Sequence, residues 1–554
     1  GHGHRLRGAR CYSEAGPDDM RSLARWGADG DAPVLSAQVR DFLSSRVGQA
    51  VPWQAADPES WQVAPSRVAA DVVADLASAV GAQHVSDSRA DRLRATGGAA
   101  FIDYARRRAG IVDDAPDVVV SPGSHDEVLA VLACARRHRL AVLPVGGGTA
   151  GVGGLRTDVP RVALQLTRLG RLLHLDEVSG IATVGPAITG PVLEALLGAR
   201  GFTLGHLPQS WQRATIGGYV ATRSAGQAST GYGRSDDMVE SLRVATPDGT
   251  LDLGRAPSTA AGPDLRGLII GSEGAFGVIT EVRLRVRRAP TTRIYDAAVL
   301  PGFAPGVEAF RDAIQSRAGA DVMRLSDEAE TSTTLLMSGP RGLAGAALER
   351  YLRARHSTTP ALAILGWEGT DRELVRARRA ATWRALRRHG GVSLGHGPGE
   401  SWRRHRFDGP HLRDSLMDAG YLVETLETAT HWSDYLDLHA RVTDTLGDSL
   451  TTTSNTPYVM SHLSHSYDTG ASLYTTVIAV ADHRDPVAQW MRAKTAVTQA
   501  IVDAGATITH HHAVGRDHAP WLKDEVGPLG VSLLRAAKSA VDPDDTLNPG
   551  VLGL

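Results

Sequence analysis

Apolar and polar positions along this chain follow two periods, one typical of helices and one typical of short strands. Over residues 67–80 apolar and acidic side chains recur at helical spacing, which predicts a helix in an N-terminal segment. Residues 118–120 form a β-branched run that a Pro-Gly pair ends. Ser124 then occupies an N-cap position, with acidic groups in the following turn and arginines in the last turn. This part of the chain is therefore predicted as a strand–turn–helix unit.

Short strands and small-residue loops continue to about residue 286, and Pro290 marks a boundary. Beyond it, strands and long helices alternate, as in a small antiparallel α+β domain. The predicted strands are 141–145, 162–166, 181–184, 361–367, 458–465 and 472–481, and the predicted helices after the first two are 190–199, 306–317, 371–389, 432–446, 485–505 and 526–540.

The chain is too long for one core, so several units are expected. We predict an α+β protein with a helical segment at 1–99, a glycine-rich domain at 100–290, an antiparallel-sheet domain at 291–484 and a helical segment at 485–554 that completes the active site. Residues 1–19 within the first segment are interpreted as a tag or extension.

Composition excludes some function classes. The formal net charge is −2, so no global basic field points to nucleic acid or membrane. Only Cys11 and Cys134 are present, which implies no disulfide framework and fits a reducing cytosol. No apolar run approaches the roughly 20 residues needed to cross a bilayer. No signal-peptide core follows the polar start.

Three consecutive glycines, Gly146, Gly147 and Gly148, follow a predicted strand. They allow positive φ and let backbone N–H groups converge, which suits a diphosphate, although a plain tight loop explains the triplet alone equally well. A Walker loop and the dinucleotide fingerprint do not fit, because no Lys-Ser/Thr follows and no helix opens directly after the glycines. Further small-residue loops at 205–210, 215–226 and 271–280 favour close backbone approach to a flat ring system.

The series Pro-x-Gly-Gly-Gly-Thr, Thr-x-Gly-Gly and Gly-Ser-Glu-Gly-x-x-Gly-Val-Ile-Thr resembles the FAD-binding domain of the vanillyl-alcohol-oxidase type, also called PCMH-type. The resemblance implies a two-subdomain FAD-binding domain beneath an α+β cap. It also implies non-covalent FAD, since the loop in which some relatives carry an attaching His ends here in Leu155. The implied FAD contacts are Pro144, Val145, Gly146, Gly147, Gly148, Thr149, Ala150, Gln209, Ser210, Thr215, Gly217, Thr222, Arg223, Ser224, Ala225, Glu273, Gly274, Ala275, Gly277, Val278 and Ile279.

Three polar positions of the C-terminal half are candidates for chemistry. Tyr467 lies in a polar turn between two predicted strands, an odd place for a core aromatic, although alone it is better explained as a surface Tyr with a hydrogen-bonded hydroxyl. Arg324 ends an apolar strand. Arg413 could merely pair with Asp414 or Glu424.

A histidine run, His510, His511 and His512, is the fourth candidate. On an extended chain the first and third face one way and the second the other, so all three cannot easily bind one metal. A zinc site would also need a further ligand at suitable spacing, and none is compelling, so no metal is predicted. The run is either a polar strand end or a set of imidazole donors aimed at an anion.

Together these features resemble one branch of the family, the alkyldihydroxyacetonephosphate synthases. The branch pattern Thr-Tyr-Asp-Ala-Gly-Ala corresponds to 466–471, Ser-His-His-His-Gly-Val-Gly to 509–515, and an Ile-Arg-Asp helix start to 412–414. Similarity extends from about residue 100 to the end of the chain. Departures at Gln209, 425–428 and Ala513 weaken the substrate identity more than FAD binding.

The branch resemblance implies a transferase without net redox change. The acyl group of acyl-dihydroxyacetone phosphate would be exchanged for a fatty alcohol through an adduct at flavin N5. Tyr467 would be the base, its pKa of about 10 lowered by neighbouring imidazoles or Arg. Arg413 would bind the phosphate as a forked donor. Arg324 would lie near the flavin and the His run would line the site.

Two other functions stay open at this point. An FAD-linked oxidase or dehydrogenase of a 2-hydroxy acid or other alcohol shares the fold, although its metal-binding His-Pro-x-x-Gly-Asp motif is absent. A flavin-binding protein without catalysis would not need Tyr467, Arg413 and the His run together. Family analogy further implies a homodimer, and the branch resemblance implies a small-molecule lipid phosphate and a fatty alcohol as partners, without nucleic acid. Peripheral membrane contact stays open, since the amphipathic helices predicted at 67–80 and 526–540 could touch lipid, although burial against the protein explains them better. The high Arg content and the absence of a Ser-Lys-Leu terminus indicate the bacterial cytoplasm.

Overall fold

A computed structural model describes residues 23–27, 30–156, 158–338, 350 and 359–554. The predicted tag or extension at 1–19 lies outside these residues. Among the helices described, none combines the length and apolarity that a membrane span requires. The predicted domain limits stay predictions, whereas the α+β fold class is confirmed.

The predicted strand–turn–helix unit is confirmed. Val118–Val120 is a buried strand, and the side chain of Ser124 accepts a hydrogen bond from the Glu127 backbone N–H at 3.1 Å, which caps the helix His125–His138. The predicted N-terminal helix forms as Ala70–Val80 and packs its apolar side into the same core.

Two sheets form the first half of the protein. In a four-stranded sheet the strands Val118–Val120, Arg161–Gln165 and Ala141–Val145 run parallel, with Val85–Ser86 antiparallel at one edge. The second sheet is antiparallel and has five strands in the order Leu172–Asp176, Ile181–Val184, Val278–Arg285, Val239–Thr246 and Gly249–Leu253. The glycine triplet directly follows Ala141–Val145 of the first sheet, and the loop 271–277 leads into Val278–Arg285 of the second.

The second half is built on one seven-stranded antiparallel sheet, which we call the cap sheet. Its longest members, Tyr421–His431 and Gly470–Val480, pair over eleven residues. Sequence reasoning missed Tyr421–His431 and Thr292–Leu300. The strand order is Val392–Gly395, Thr292–Leu300, Ala361–Gly369, Val322–Ser326, Tyr458–Ser466, Gly470–Val480 and Tyr421–His431.

Helices cover one side of the cap sheet and share a large apolar core with it. The last predicted helix is part of a longer element that is interrupted at Gly527, where φ is +74° immediately before Pro528. The longer helices of this half are Phe303–Gln315, Glu328–Ser338, Arg372–Arg388, His396–His405, Gly409–Asp418, Tyr435–Leu450, Pro486–Asp503 and Leu522–Val541.

The chain end returns to the first half. The Val142 backbone N–H donates to the Thr546 carbonyl at 2.7 Å, and the Asn548 N–H donates to the Val142 carbonyl at 3.0 Å. The C-terminal segment is thereby fixed to the glycine-rich domain at one end, and the histidine run lies in the loop between its two helices.

Candidate active site

One cavity of about 540 Å³ lies between the glycine loops and the cap sheet. Most of the residues expected to contact FAD line it, although they come from four separate segments of the chain. Those that line it are Pro144, Gly146, Gly147, Gly148, Thr149, Ala150, Gln209, Ser210, Thr215, Gly217, Thr222, Ser224, Ala225, Glu273, Gly274 and Ile279.

The glycine triplet can form its wall only without side chains. A Cβ on Gly147 would lie 2.1 Å from the Arg213 carbonyl oxygen, and Gly148 has a φ of +64°. Gly147 therefore packs directly against the backbone of the neighbouring loop, and the positive φ of Gly148 turns the chain there, so that backbone forms this part of the cavity wall.

Five of the expected contacts do not line the cavity. Val145, Ala275 and Val278 are buried in the core behind the loops, and a Cβ on Gly277 would lie 2.3 Å from Val244 Cγ1. Arg223 directs its guanidinium away from the cavity, toward the Asp236 carboxylate and the Gly267 and Ile270 carbonyls. Sequence matching identified these loops but could not separate the residues that face the ligand from those that support them.

Polar atoms left without partners indicate where a ligand belongs. The Gln209 side-chain oxygen accepts from Gln227 at 3.0 Å, and its amide nitrogen is buried with no hydrogen-bond partner. The Tyr219 hydroxyl is also buried and unpartnered, and both residues line the cavity. Buried donors of this kind are normally satisfied, so these atoms fit a polar, ring-containing ligand such as FAD.

Glu273 connects the glycine loops to the C-terminal segment. Its carboxylate accepts the Gly515 backbone N–H at 2.6 Å, and the Asn548 side chain donates to its carbonyl at 2.8 Å. Burial raises the pKa of Glu273 to about 7. The residue therefore fixes the end of the histidine loop against the glycine-rich domain.

The histidine run is a bent loop, and the prediction of an extended chain with alternating side chains is wrong. Residues 508–515 form neither helix nor strand. The ring nitrogens of His510 and His511 lie within 4.8 Å of each other and of a ring nitrogen of His465, which comes from the cap-sheet strand Tyr458–Ser466. His465, His511 and His512 line the cavity. That the site holds no metal stays a prediction.

Tyr467 lies in the turn between Tyr458–Ser466 and Gly470–Val480, as predicted, and its hydroxyl is 2.6 Å from His510 Nε2. The expected lowering of its pKa is wrong for the resting protein. Burial raises the pKa of Tyr467 above its ordinary value, and the nearby charge of Arg234 opposes this only in part. The phenol is therefore neutral until a neighbouring group accepts its proton.

Tyr467 and His510 lie behind the described cavity wall. His510 Nδ1 is 2.9 Å from His511 Nδ1, and His511 reaches the cavity. A chain of groups at hydrogen-bond distance thus joins the phenol to the wall. Burial lowers the pKa of His510 to about 4 and that of His511 well below the ordinary value, so both imidazoles are neutral at pH 7.

Arg324 is held in a closed triad within the cavity wall. Its guanidinium donates to Glu330 Oε1 at 2.8 Å and lies 3.0 Å from His462 Nε2, while His462 Nδ1 is 3.0 Å from the same carboxylate oxygen. Burial opposes ionisation of Glu330, but Arg324 and His462 lower its pKa to about 2. The three side chains therefore behave as one rigid polar unit.

Arg413 is free of carboxylate partners within the described part of the chain, so the ion pairs considered from the sequence do not form. It lies inside the helix Gly409–Asp418 rather than at its start. One guanidinium nitrogen donates to the Ala99 carbonyl at 2.9 Å, and the group lies 4.8 Å from the centre of the Tyr104 ring. Its Nε is buried without a partner. Arg413 lines the cavity, and its positive charge and remaining N–H donors are available to an anionic ligand.

An apolar region of the cavity, which we call the apolar arm, extends between the N-terminal helix Ala37–Arg46 and the cap sheet. Sequence reasoning gave no indication of it, because its walls come from distant segments. It is formed by Val39, Phe42, Leu43, Leu336, Met337, Leu412, Leu416, Val423, Met460 and Ile478.

Other functional candidates were missed as well. His465 could have been noticed two residues before Tyr467, and His462 three residues before that. Glu427 lies in the stretch 425–428 compared with the branch pattern, but nothing in the sequence assigned it a role. Glu330 gave no signal, since acidic residues in a chain with this many charged positions are ordinary.

The fold and the glycine-lined cavity define a flavin enzyme with a substrate cap. A model described as FAD binding domain matches residues 116–253, and one described as FAD linked oxidases, C-terminal domain, matches residues 289–552. The protein binds FAD, and its cavity residues fit that cofactor.

Comparison with known proteins narrows the class. An alkyldihydroxyacetonephosphate synthase of Dictyostelium discoideum is 30% identical over 501 residues, which cover 89% of this chain and 82% of the relative. The same enzyme of Trypanosoma brucei brucei is 29% identical, over 83% and 77% of the two chains. A solved alkyldihydroxyacetonephosphate synthase structure superposes with a TM-score of 0.79 at 28% identity, covering 92% of each chain. This chain belongs to the alkyldihydroxyacetonephosphate synthase branch of the PCMH-type FAD flavoproteins.

Proposed function

We propose that this enzyme exchanges the acyl group of acyl-dihydroxyacetone phosphate for a fatty alcohol and so forms an ether lipid. The observation that carries the proposal is the continuity of one cavity. The glycine cradle, a wall of imidazole and guanidinium groups, and the apolar arm all open into it. An amphiphile with a phosphate head and a long hydrocarbon tail matches these three surfaces, whereas a small hydroxy acid needs no apolar arm.

Arg413 is the proposed phosphate ligand. Its unpartnered Nε and its remaining donors fit the forked geometry that phosphate oxygens accept. The Tyr104 ring and the Ala99 carbonyl orient the guanidinium from behind, so little side-chain freedom is lost on binding. The adjacent Leu412 and Leu416 of the same helix face the apolar arm, which places head-group and tail sites side by side.

Tyr467, His510 and His511 are the proposed proton-transfer groups. The phenol donates to or accepts from His510, and His511 connects this pair to the cavity. The neutral imidazole of His511 takes a proton from the substrate carbon that carries the ester, and the positive charge is shared with His510 through the contact between their Nδ1 atoms. The Tyr467 hydroxyl oxygen then accepts the His510 Nε2–H and stabilises the charged pair until the proton returns to carbon. Arg324 stays fixed by Glu330 and His462 while this occurs.

FAD held by the glycine cradle of Gly146, Gly147 and Gly148 would supply a nucleophilic ring nitrogen. The ester C–O electron pair leaves with the fatty acid. The alcohol oxygen forms the new C–O bond and gives up its proton, and the proton first removed from carbon returns to it. Atoms and electrons balance without an oxidant.

The test is to supply the purified flavoprotein with palmitoyl-dihydroxyacetone phosphate and hexadecanol and to follow hexadecyl ether by mass spectrometry together with oxygen uptake. The proposal expects ether and palmitate in equal amounts with no oxygen consumed. Reduction of the flavin by a simple 2-hydroxy acid, with no ether formed, would overturn it and favour an FAD-linked oxidase or dehydrogenase.

A further inference from the structure

A buried carboxylate outside the cavity wall organises the histidine loop. Glu427 lies in the cap-sheet strand Tyr421–His431, and its side chain is fully buried. It accepts the backbone N–H of His510 at 2.5 Å, of His511 at 3.1 Å and of His512 at 2.8 Å. It also accepts the Thr509 hydroxyl at 2.6 Å. One side chain therefore satisfies four donors of a loop more than 80 positions away in sequence.

This arrangement sets the direction of the imidazoles. Three successive N–H groups point toward the cap sheet, so the loop cannot adopt the alternation of a strand. Each buried donor left without an acceptor would cost about 1–3 kcal/mol, and an acidic side chain is an acceptor without competing donors. Within the described residues Glu427 has no Lys or Arg partner. In the described part of the chain, the hydrogen-bond donors that stabilise its charge all belong to the loop.

We infer that Glu427 is a positioning residue that holds His510 and His511 in register for proton transfer with Tyr467. The four hydrogen bonds support the positioning of the loop, and the role of this positioning in catalysis rests on the proposed function. It assigns a role to a residue that does not touch the cavity, since Glu424 and Thr425 line the cavity and Glu427 does not.

The negative charge of Glu427 also affects proton transfer at His510. Burial is the largest influence on the pKa of His510 and lowers it, while Glu427 is the foremost charge that raises it. The same carboxylate raises the pKa of Tyr467 only weakly, behind burial and behind Arg234, Asp236 and Asp237. Glu427 therefore stabilises a protonated His510 more than it disfavours ionisation of the phenol, which helps the imidazoles to hold a proton taken from the substrate. The titratable and charged groups around His510 are Tyr467, His465, His511, His512, Glu427, Arg234 and Asp236.

The test compares Glu427→Gln with Glu525→Gln as a matched control. Glu525 is exposed and holds the same loop upstream, accepting the Thr507 hydroxyl at 2.7 Å and the Ile508 N–H at 3.1 Å. Glu427→Gln should lower kcat about 100-fold, the size of loss that a small misplacement of a catalytic group produces. KM should stay within about threefold, because the residue does not face the ligand. Glu525→Gln should change neither constant appreciably.

Hydrogen–deuterium exchange of residues 509–512 gives a readout that does not depend on turnover. Faster exchange in Glu427→Gln but not in Glu525→Gln supports the inference, and unchanged exchange overturns it. Faster exchange with undiminished kcat also overturns it. If the wild type forms no ether, the proposed function is wrong, but the positioning role of Glu427 is still tested. In that case the hydrogen–deuterium exchange of residues 509–512 decides whether Glu427 holds the loop.

Glu427→Asp covers the case in which the Gln variant does not fold. It keeps the charge but withdraws the carboxylate by one methylene. Its kcat should fall about tenfold, the lower end of what a displaced supporting group produces, with exchange at residues 509–512 raised. A variant with wild-type kcat and wild-type exchange would overturn the inference.

Discussion

Replacing Tyr467 with Phe removes one oxygen atom and breaks the path between the phenol and the histidine loop. The hydroxyl lies 2.6 Å from His510 Nε2, and the path continues 2.9 Å onward to His511. Acid–base catalysis by a positioned side chain contributes typically 10²–10⁴-fold, which corresponds to about 2.7–5.4 kcal/mol of the activation barrier. We expect Tyr467→Phe to lose ether synthesis by that factor.

The loss should appear in kcat while the flavin spectrum stays unchanged, because Tyr467 lies away from the glycine loops. The folded state should lose only about 1 kcal/mol, the typical net value of one hydrogen bond. Ether formation from labelled hexadecanol, the visible spectrum and urea unfolding measure the three quantities separately.

Tyr435→Phe is the matched control. The Tyr435 hydroxyl is buried and donates to the Ser472 carbonyl at 3.0 Å, on the same hairpin but away from the imidazoles. It should show the same small loss of stability with normal turnover. If Tyr467→Phe retains turnover within about threefold of wild type, well inside the loss expected for a general acid–base group, the proton path described above is wrong.

Three further outcomes follow from the site. Arg413→Lys keeps the positive charge but loses the paired guanidinium N–H donors and the contact with the Tyr104 ring. KM for the acyl substrate should therefore rise about 10-fold or more, the value of a lost charge-assisted hydrogen bond. An unchanged KM in steady-state kinetics would show that Arg413 does not bind the phosphate. Glu330→Gln should destabilise the protein by about 2–3 kcal/mol at pH 7, after allowance for the partial exposure of Arg324. The folded pKa of Glu330 is about 2, below its unfolded value, so this stabilisation is present above the unfolded pKa and disappears as pH falls toward 2. Urea unfolding of wild type and Glu330→Gln at pH 7 and pH 3 should show that the difference in their unfolding free energies shrinks at the lower pH. A difference that grows on acidification would contradict the triad. Acid precipitation should release all flavin, and yellow colour that stays on the precipitated chain would show that attachment is covalent.

The FAD cradle was predictable because its determinants are local. A glycine triplet after a strand, followed by further small-residue loops, constrains the backbone within a few positions of each residue. The helix capped by Ser124 was predictable for the same reason. What the sequence could not give is which members of a loop face the ligand, as Val145 and Arg223 illustrate, because that depends on the packing behind the loop.

The polar side of the site was only half predictable. Tyr467 and the histidine run stand out as residue types, but their geometry depends on Glu427, which is distant in sequence and buried in a strand that the pattern did not indicate. The pKa of Tyr467 was predicted in the wrong direction because burial, a property of the whole fold, outweighs the adjacent cation. The apolar arm likewise depends on the N-terminal helix Ala37–Arg46 packing against the cap sheet.

The central claim is that the FAD cradle, a phosphate-binding Arg, a proton path and a site for a lipid tail meet in one cavity. There the substrate carbon that carries the ester loses its acyl oxygen and gains the oxygen of the fatty alcohol. Hexadecanol labelled with ¹⁸O tests it most directly, with products separated by mass spectrometry. The account predicts that the label appears wholly in the ether oxygen of the hexadecyl product and that the released palmitate is unlabelled. Label recovered in a hexadecyl ester of palmitate, or hydrogen peroxide formed without ether, would contradict it.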